Sequence, residues 1–332
     1  MAYVPFATAH EVGDRFLALL HKHGIDPPAG SVMDDELLSL TQLIEVTKDP
    51  NLATGPNQAS ILRSAAGVHD LAAKVLSVET IPEFPGFLEH LRLIAEKKVP
   101  AASLGQNASS GPYDHTARKM AELYLGCLAA HAGTDVNLDH PTNATGDNPD
   151  VIFTVEEVCI AKEAKRWALA IKTISSRQGQ TVFDRIKEGA EQIDSVRCQA
   201  DVGIVVINAK SALEHEALWN PAIPFPDLQA AINALRAQLE ALEKSAADQR
   251  PQSEWDDIFK GKVVRPIIFM GQSLVKLPTA ADTQTPTPLK MLKLYEAQGA
   301  VDPAAVGLAD LMNHFMQTIL HGIPGSAGQM PR

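Results

Sequence analysis

Cysteine is scarce in this chain. Three in 332 residues, Cys127, Cys159 and Cys198, lie far apart, with no CxxC pair and no Cys/His cluster beside them. That spacing argues against a disulfide framework and against a zinc module. Apolar runs of about 18 residues, long enough to cross a bilayer, are missing. No basic segment followed by an apolar one opens the chain. A cytoplasmic protein with reduced thiols and no membrane attachment is expected. Positive charge is also short: 29 Lys+Arg face 40 Asp+Glu, a net charge of −11. The surface as a whole repels polyanions, so any contact with nucleic acid rests on local charge. Nor is there a Gly-rich loop ending in Gly-Lys-Ser/Thr, a dinucleotide fingerprint, a Gly-x-Ser-x-Gly elbow or a His-Glu-x-x-His. Their absence disfavours the common nucleotide-binding and hydrolase classes.

What remains is ample material for a core, with 45% hydrophobic and 21% charged residues. The length suits two domains. Residues 10–98 carry apolar positions at three- and four-residue spacings and predict helices, the first ended by Gly24 with Pro27 and Pro28. The stretch from Ala101 to Pro112, rich in Ala, Ser, Gly and Asn, predicts an exposed connection between a helical N-terminal domain, 1–110, and an α/β domain, 111–332, with a C-terminal helical extension. A helix capped by Asp114 and ended by Gly133 follows, then strands at Thr134–Leu138, Val151–Val155 and Trp167–Ser175. A helix from Thr181 to Asp194 and the apolar strand Gly203–Asn208 come next. This order predicts an α/β sandwich with a mixed sheet flanked by helices. A continuous helix over Thr154–Ile174, opened by a capping box at Thr154 and Glu157, is the competing local reading. Further on, Pro226–Asp248 reads as a long amphipathic helix, Val263–Leu277 as a strand or hairpin that Pro266 would place at an edge, Thr283–Pro288 as a linker, and Val306–Ile319 as a last helix.

Residues 114–210 carry the chemistry-bearing groups. Glu122 sits on a helix, Asp150 follows Pro149 at the start of a strand, Lys172 lies in the next strand, and Gln192 on the second helix. Alternation puts Ala168, Ala170 and Lys172 on one strand face and Trp167, Leu169 and Ile171 on the other, so Lys172 projects beside Asp150. Hydrolysis of a phosphodiester assisted by Mg²⁺ needs hard oxygen ligands converging on a point, with a cation near the phosphate. Each residue also has a plainer explanation. Asp150 can anchor an Asn-Pro-Asp turn, Lys172 can hold an edge position, and Glu122 can pair with Arg118 four residues earlier.

The segments MAELYLGCLAAHAGTDVNLD, NPDVIF, WALAIKTISS and GAEQI together resemble the PD-(D/E)xK nuclease superfamily, the restriction-endonuclease-like core. The resemblance covers residues 114–210 and not the whole chain. It implies that Asp150 and Glu122 hold Mg²⁺ or Mn²⁺, that Lys172 assists catalysis and that Gln192 lines the site. It further implies DNA as substrate and a role in bacterial defence against foreign DNA, with the helical regions free to form a homo-oligomer or meet a protein partner. The chain departs from the family pattern at Ala170, where an acidic residue is usual. Glu163 with Lys165 offers a rival register that restores the acid. A catalytically inactive nuclease-fold protein, binding nucleic acid or serving assembly, is the alternative function.

Local charge permits a polyanion: from Lys162 to Glu188 seven basic residues face three acidic ones. The Ser175–Gln180 loop is placed to meet a backbone. His21 and His23 are expected to serve the C-terminal carbonyls of the first helix, while His115 and His140 lie near enough to approach the site. Trp167, Trp219 and Trp255 read as packing anchors, since no aromatic series interleaves with basic residues.

Overall fold

The computed structural model describes residues 6–48, 58–96, 102–105, 115–142, 148–156, 164–248, 250–278 and 284–319. Four helices open it: α1 Phe6–Lys22, α2 Val32–Lys48, α3 Gln58–Ser77 and α4 Leu88–Glu96. α1 stops where Gly24 takes φ +67°, a left-handed value that costs glycine little. α2 starts where the Ser31 hydroxyl accepts from the Asp34 amide at 3.2 Å, with Asp34 and Asp35 in its first turn.

The middle of the chain follows the expected order. It runs α5 His115–Ala132, β1 Thr134–Leu138, β2 Val151–Val155, β3 Lys165–Thr173, α6 Gly179–Asp194 and β4 Val202–Asn208. The competing long helix is not formed. β2 and β3 pair antiparallel from Val151 opposite Leu169 to Val155 opposite Lys165. The apolar side chains there alternate or run continuously as a buried sheet requires. Asp114, Cys159 and Glu163 lie outside the described residues.

The remainder comprises α7 His215–Trp219, α8 Leu228–Ala247, α9 Gln252–Ile258, β5 Ile267–Pro278, β6 Gln284–Tyr295 and α10 Pro303–Thr318. The sheet order is β1-β2-β3-β4-β5-β6, parallel across β3-β4-β5 and antiparallel elsewhere. Two expectations fail here. β5 is not an edge, because Pro266 precedes the strand and claims no ladder hydrogen bond within it. Of the expected linker Thr283–Pro288, Thr283 lies outside the described residues, and Gln284 to Pro288 open the edge strand β6. Pro286 and Pro288 share the parity of Lys290 and Leu292, whose backbone groups face away from β5. There the Leu292 amide donates to Asn313 of α10 at 3.1 Å, and the Lys290 carbonyl accepts from Gln317 at 2.6 Å. The prolines' missing donors therefore belong to the outward row.

One sheet face presents Trp167, Leu169, Ile171, Ile204, Val206, Ile268 and Met270 to an interior shared with α1 to α5 and α10. The other presents Ala168, Ala170, Val205, Ile207 and Phe269 to α6, α8 and α9. The three tryptophans are buried, as expected. α8, capped by Asp227 on the Ala230 amide, lays Leu235, Leu239 and Leu242 into this second layer.

The connection expected to be exposed is instead buried over Ala102–Leu104. The Leu104 amide donates to the Arg63 carbonyl, and the Ser103 amide to Glu36 at 2.9 Å. Gly67 of α3 admits this segment, since a Cβ there would stand 1.9 Å from the Ala102 carbonyl oxygen. Mid-helix Gly→Ala ordinarily stabilises by about 1 kcal/mol. Gly67→Ala is expected to destabilise instead, by about 1–3 kcal/mol from overpacking, as read by urea unfolding; a stabilised variant would show that the backbone approach is not held.

Candidate functional site

The parallel strands end beside the start of β2, and α5 and α6 overhang that end from opposite faces. Asp150 is the last residue before β2. Its amide donates to the Leu169 carbonyl at 3.0 Å, and its Oδ2 accepts from the Ile171 amide at 2.6 Å, so the carboxylate is stitched to the backbone of β3. The register, continued by one residue from Val151 opposite Leu169, puts Asp150 beside Ala170. Glu122 reaches the same corner from the middle of α5.

Arg118 joins the two. Its Nε donates to Glu122 Oε1 at 3.2 Å and its Nη2 to Asp150 Oδ1 at 3.3 Å. Lys119 donates to Glu122 Oε2 at 2.6 Å, and His90 Nε2 of α4 lies 3.2 Å from the same oxygen. From the α6 side, Lys172 Nζ donates to Gln192 Oε1 at 2.6 Å. Glu122, Asp150, Lys172 and Gln192 are all buried. The structure thus brings the four expected residues to one corner, in two hydrogen-bonded sets: a carboxylate pair clamped by Arg118, and a Lys172–Gln192 pair.

Electrostatics couple the sets. Burial, and next the neighbouring Glu122 charge, push the Asp150 carboxyl from 3.8 up to about 6, against the pull of Arg118 and Lys172. Burial lowers the Lys172 ammonium, opposed by Asp150 and assisted by Arg118. His90 is pushed down to about 3, first by burial and then by Lys119. It is therefore neutral near pH 7. Its Nε2 faces Glu122, and its Nδ1 finds no hydrogen-bond partner among the described residues.

Comparison of the chain with protein-family models, with curated proteins and with solved structures gives no match.

The plainer reading of Glu122 is half right, since it pairs with Arg118 but is fully buried rather than exposed. Lys165 of the rival register is exposed and lies opposite Val155, at the far end of the β2–β3 ladder from the corner. His140 is exposed and engages Thr142. The His115 side chain is outside the description. His21 does not serve helix carbonyls but faces Asp26 at 3.2 Å, and His23 packs on Phe84. Of the seven basic residues between Lys162 and Glu188, three pair with nearby carboxylates: Arg177 with Glu214, Arg185 with Glu188 at 2.6 Å, and Lys187 near Glu191 at 4.0 Å. The Ser175–Gln180 loop turns on its own bonds, with the Arg177 carbonyl accepting from Ser245. Arg118 and Lys119 were signalled by their i−4 and i−3 spacing to Glu122; His90, 32 positions away, had no signal.

In type, the donors suit a hard divalent cation. Two carboxylates each direct one oxygen to the Arg118 guanidinium, Glu122 to its Nε and Asp150 to its Nη2. In number they are few. Among the described residues no three His, Cys, Asp or Glu side chains gather to hold a metal, and Ala170 gives no third carboxylate. Asp150 and Glu122 are the residues that would bind the ion, once Arg118 leaves.

Ala170 is fully buried, its Cβ 3.6 Å from where a Cβ on Gly189 would stand. In metal-free buffer Ala170→Glu is expected to cost about 2 kcal/mol or more, adding a third carboxylate where two already repel; unchanged denaturant stability would mean that the position faces open space. A pH effect follows from Asp150. The folded chain keeps a proton that the unfolded chain has released, so stability is full below pH 3.8 and is lost as pH rises through about 6. In Asp150→Asn this slope of Tm against pH between about 4 and 6 is expected to flatten; an unaltered slope would assign the titration to another group.

Proposed function

We propose that the chain is a restriction-endonuclease-like nuclease that hydrolyses DNA phosphodiesters with a divalent cation, Mg²⁺ or Mn²⁺, at the Asp150–Glu122 corner. One observation carries the reading. Glu122, Asp150, Lys172 and Gln192 come from four separate elements, in the helix-strand-strand-strand-helix-strand order of that core, and are buried together. Buried ionisable groups with displaced titration are expensive, and they concentrate at sites that use them.

In this reading Lys172, fixed by Gln192, holds positive charge toward the scissile phosphate as negative charge builds on it. Asp150, anchored to the Ile171 amide, and Glu122, anchored to Lys119, keep their second oxygens turned to the cation position. When bound there, the cation supplies Lewis-acid polarisation of a phosphoryl oxygen. The buried walls of the corner keep the charges strong by excluding water.

A second reading has its own support: with Ala170 in place of an acid and Arg118 between the carboxylates, the corner is a charge-balanced anchor in a non-cleaving, nucleic-acid-binding or assembly module. The two separate in one assay. Pure chain is incubated with plasmid, linear and single-stranded DNA and with RNA, in Mg²⁺ or Mn²⁺, beside Asp150→Ala and Lys172→Ala. DNA cleavage that falls by about 100-fold or more in both variants is expected. Binding in a gel shift without cleavage would establish the second reading. Residual cleavage equal in all three proteins would mark a contaminant and overturn the first.

A further inference from the structure

Each carboxylate in the corner has one oxygen fixed and one oxygen presented. Asp150 Oδ2 is fixed by the Ile171 amide at 2.6 Å, and Glu122 Oε2 by Lys119 at 2.6 Å, donors that are themselves buried. Asp150 Oδ1 and Glu122 Oε1 are both presented to Arg118, at 3.3 and 3.2 Å. These two contacts are longer than the 2.7–2.9 Å usual for charged pairs, and so are the weaker ones. Exposure divides the groups in the same way. The Arg118 side chain is 32% exposed, while those of Glu122 and Asp150 are 0% and 1% exposed. The guanidinium can withdraw into water by rotating its own side chain. The carboxylates cannot leave, and their fixed oxygens hold them in place when it does.

Resting on the reading of this corner as a divalent-cation site, we propose that Arg118 is a place-holder: its guanidinium neutralises Asp150 and Glu122 in the empty site, competes with the cation for the two presented oxygens, and swings out when the cation enters. The device answers an electrostatic need. Two buried carboxylates left without a countercharge repel each other and lose their hydration, and a protein-borne cation removes that penalty until a stronger one arrives. The same contact sets a threshold, because the entering ion has to displace a unit charge before it gains its ligands. Lys119, buried and bonded to the fixed oxygen, stays where it is.

The test uses the full chain without nucleic acid. Mn²⁺ binding is followed by titration calorimetry and by the paramagnetic signal of free Mn²⁺, in wild type, Arg118→Gln, Arg118→Lys and Asp150→Asn. Arg118→Gln is expected to bind Mn²⁺ about tenfold more tightly or better, Arg118→Lys to stay near wild type because the charge is kept, and Asp150→Asn to lose binding. Should Arg118→Gln fail to fold, the wild type alone decides. Its Arg118 Nε–H resonance, identified by its absence from Arg118→Lys, is expected to move to the position of a free, solvent-exchanging guanidinium as Mg²⁺ is added. Mn²⁺ binding equal in wild type and Arg118→Gln, or an Nε–H resonance that stays put as Mg²⁺ binds, would overturn the place-holder role while leaving the cation site standing. No Mn²⁺ binding at millimolar concentration in any of the proteins would remove the cation site itself, and the place-holder with it.

Discussion

Two buried carboxylates with one guanidinium between them are the constraint around which this end of the molecule is organised. Glu122 and Asp150 are close enough for each charge to oppose the other, and neither reaches water. Such a pair persists only where countercharge is delivered from several directions. Here it comes from Arg118 and Lys119 on α5, from the Ile171 amide of β3 and, across the corner, from Lys172. The strand ends, α5 and α6 must therefore keep their mutual positions for the corner to exist at all. Close packing on both sheet faces supplies that rigidity. Gly189, for example, lets α6 lie directly on Val205 and Ala170.

A second buried charge cluster solves the same problem without any sign of chemistry. Asp70 of α3 is held well below the usual carboxylate range by Lys290 and Lys74 in spite of its burial, and Tyr124 donates to its Oδ2 at 2.7 Å. Lys74 also donates to the carbonyls of Met316 and Ile319 at the end of α10. Each charge there is opposed by a direct partner. Asp70 serves as a staple joining α3, α5, β6 and α10, and its carboxyl is pulled down. Asp150 is pushed up instead, by burial and next by the Glu122 charge, which the pull of Arg118 and Lys172 does not offset. The contrast between the two clusters is a physical reason for proposing function at the Asp150–Glu122 corner and not at Asp70.

Much of this was legible in the sequence, and the failures have identifiable causes. The order of elements and the placing of Lys172 beside Asp150 follow from alternation in WALAIKT and from the Pro-Asp start of β2, signals local to a few residues, whereas Glu122 and Gln192 joined them through what the nuclease-family resemblance implies. The charge excess after Lys162 is smaller in the fold than along the chain, because Glu191 and Glu214, partners of Lys187 and Arg177, lie beyond that stretch. Pro286 and Pro288 looked like a linker because a sequence does not state which row of an edge strand needs its donors. Arg118 was visible only as a surface partner for Glu122. Its bridge to Asp150 spans 32 positions and depends on how α5 crosses the sheet end.

The least legible feature is how far the N-terminal helices enter the chemistry. His90 of α4 brings the only imidazole that touches Glu122 among the described residues. Glu36 of α2, which burial pushes up to about 7 against the Ser103 amide and the Lys210 charge, stands over the end of β4. Arg63 of α3 reaches Glu216 at 2.6 Å and the carbonyl of His215 just beyond it. These contacts gather at the carboxyl ends of the parallel strands, where open α/β sheets hold their ligands. A helical layer that merely shielded an apolar face would need no polar groups at that edge. That it bonds His90 to Glu122 and Arg63 to α7, both from buried positions, means the sheet end is lined by both halves of the chain. α4 thus touches Glu122 directly, through His90, without passing through the sheet.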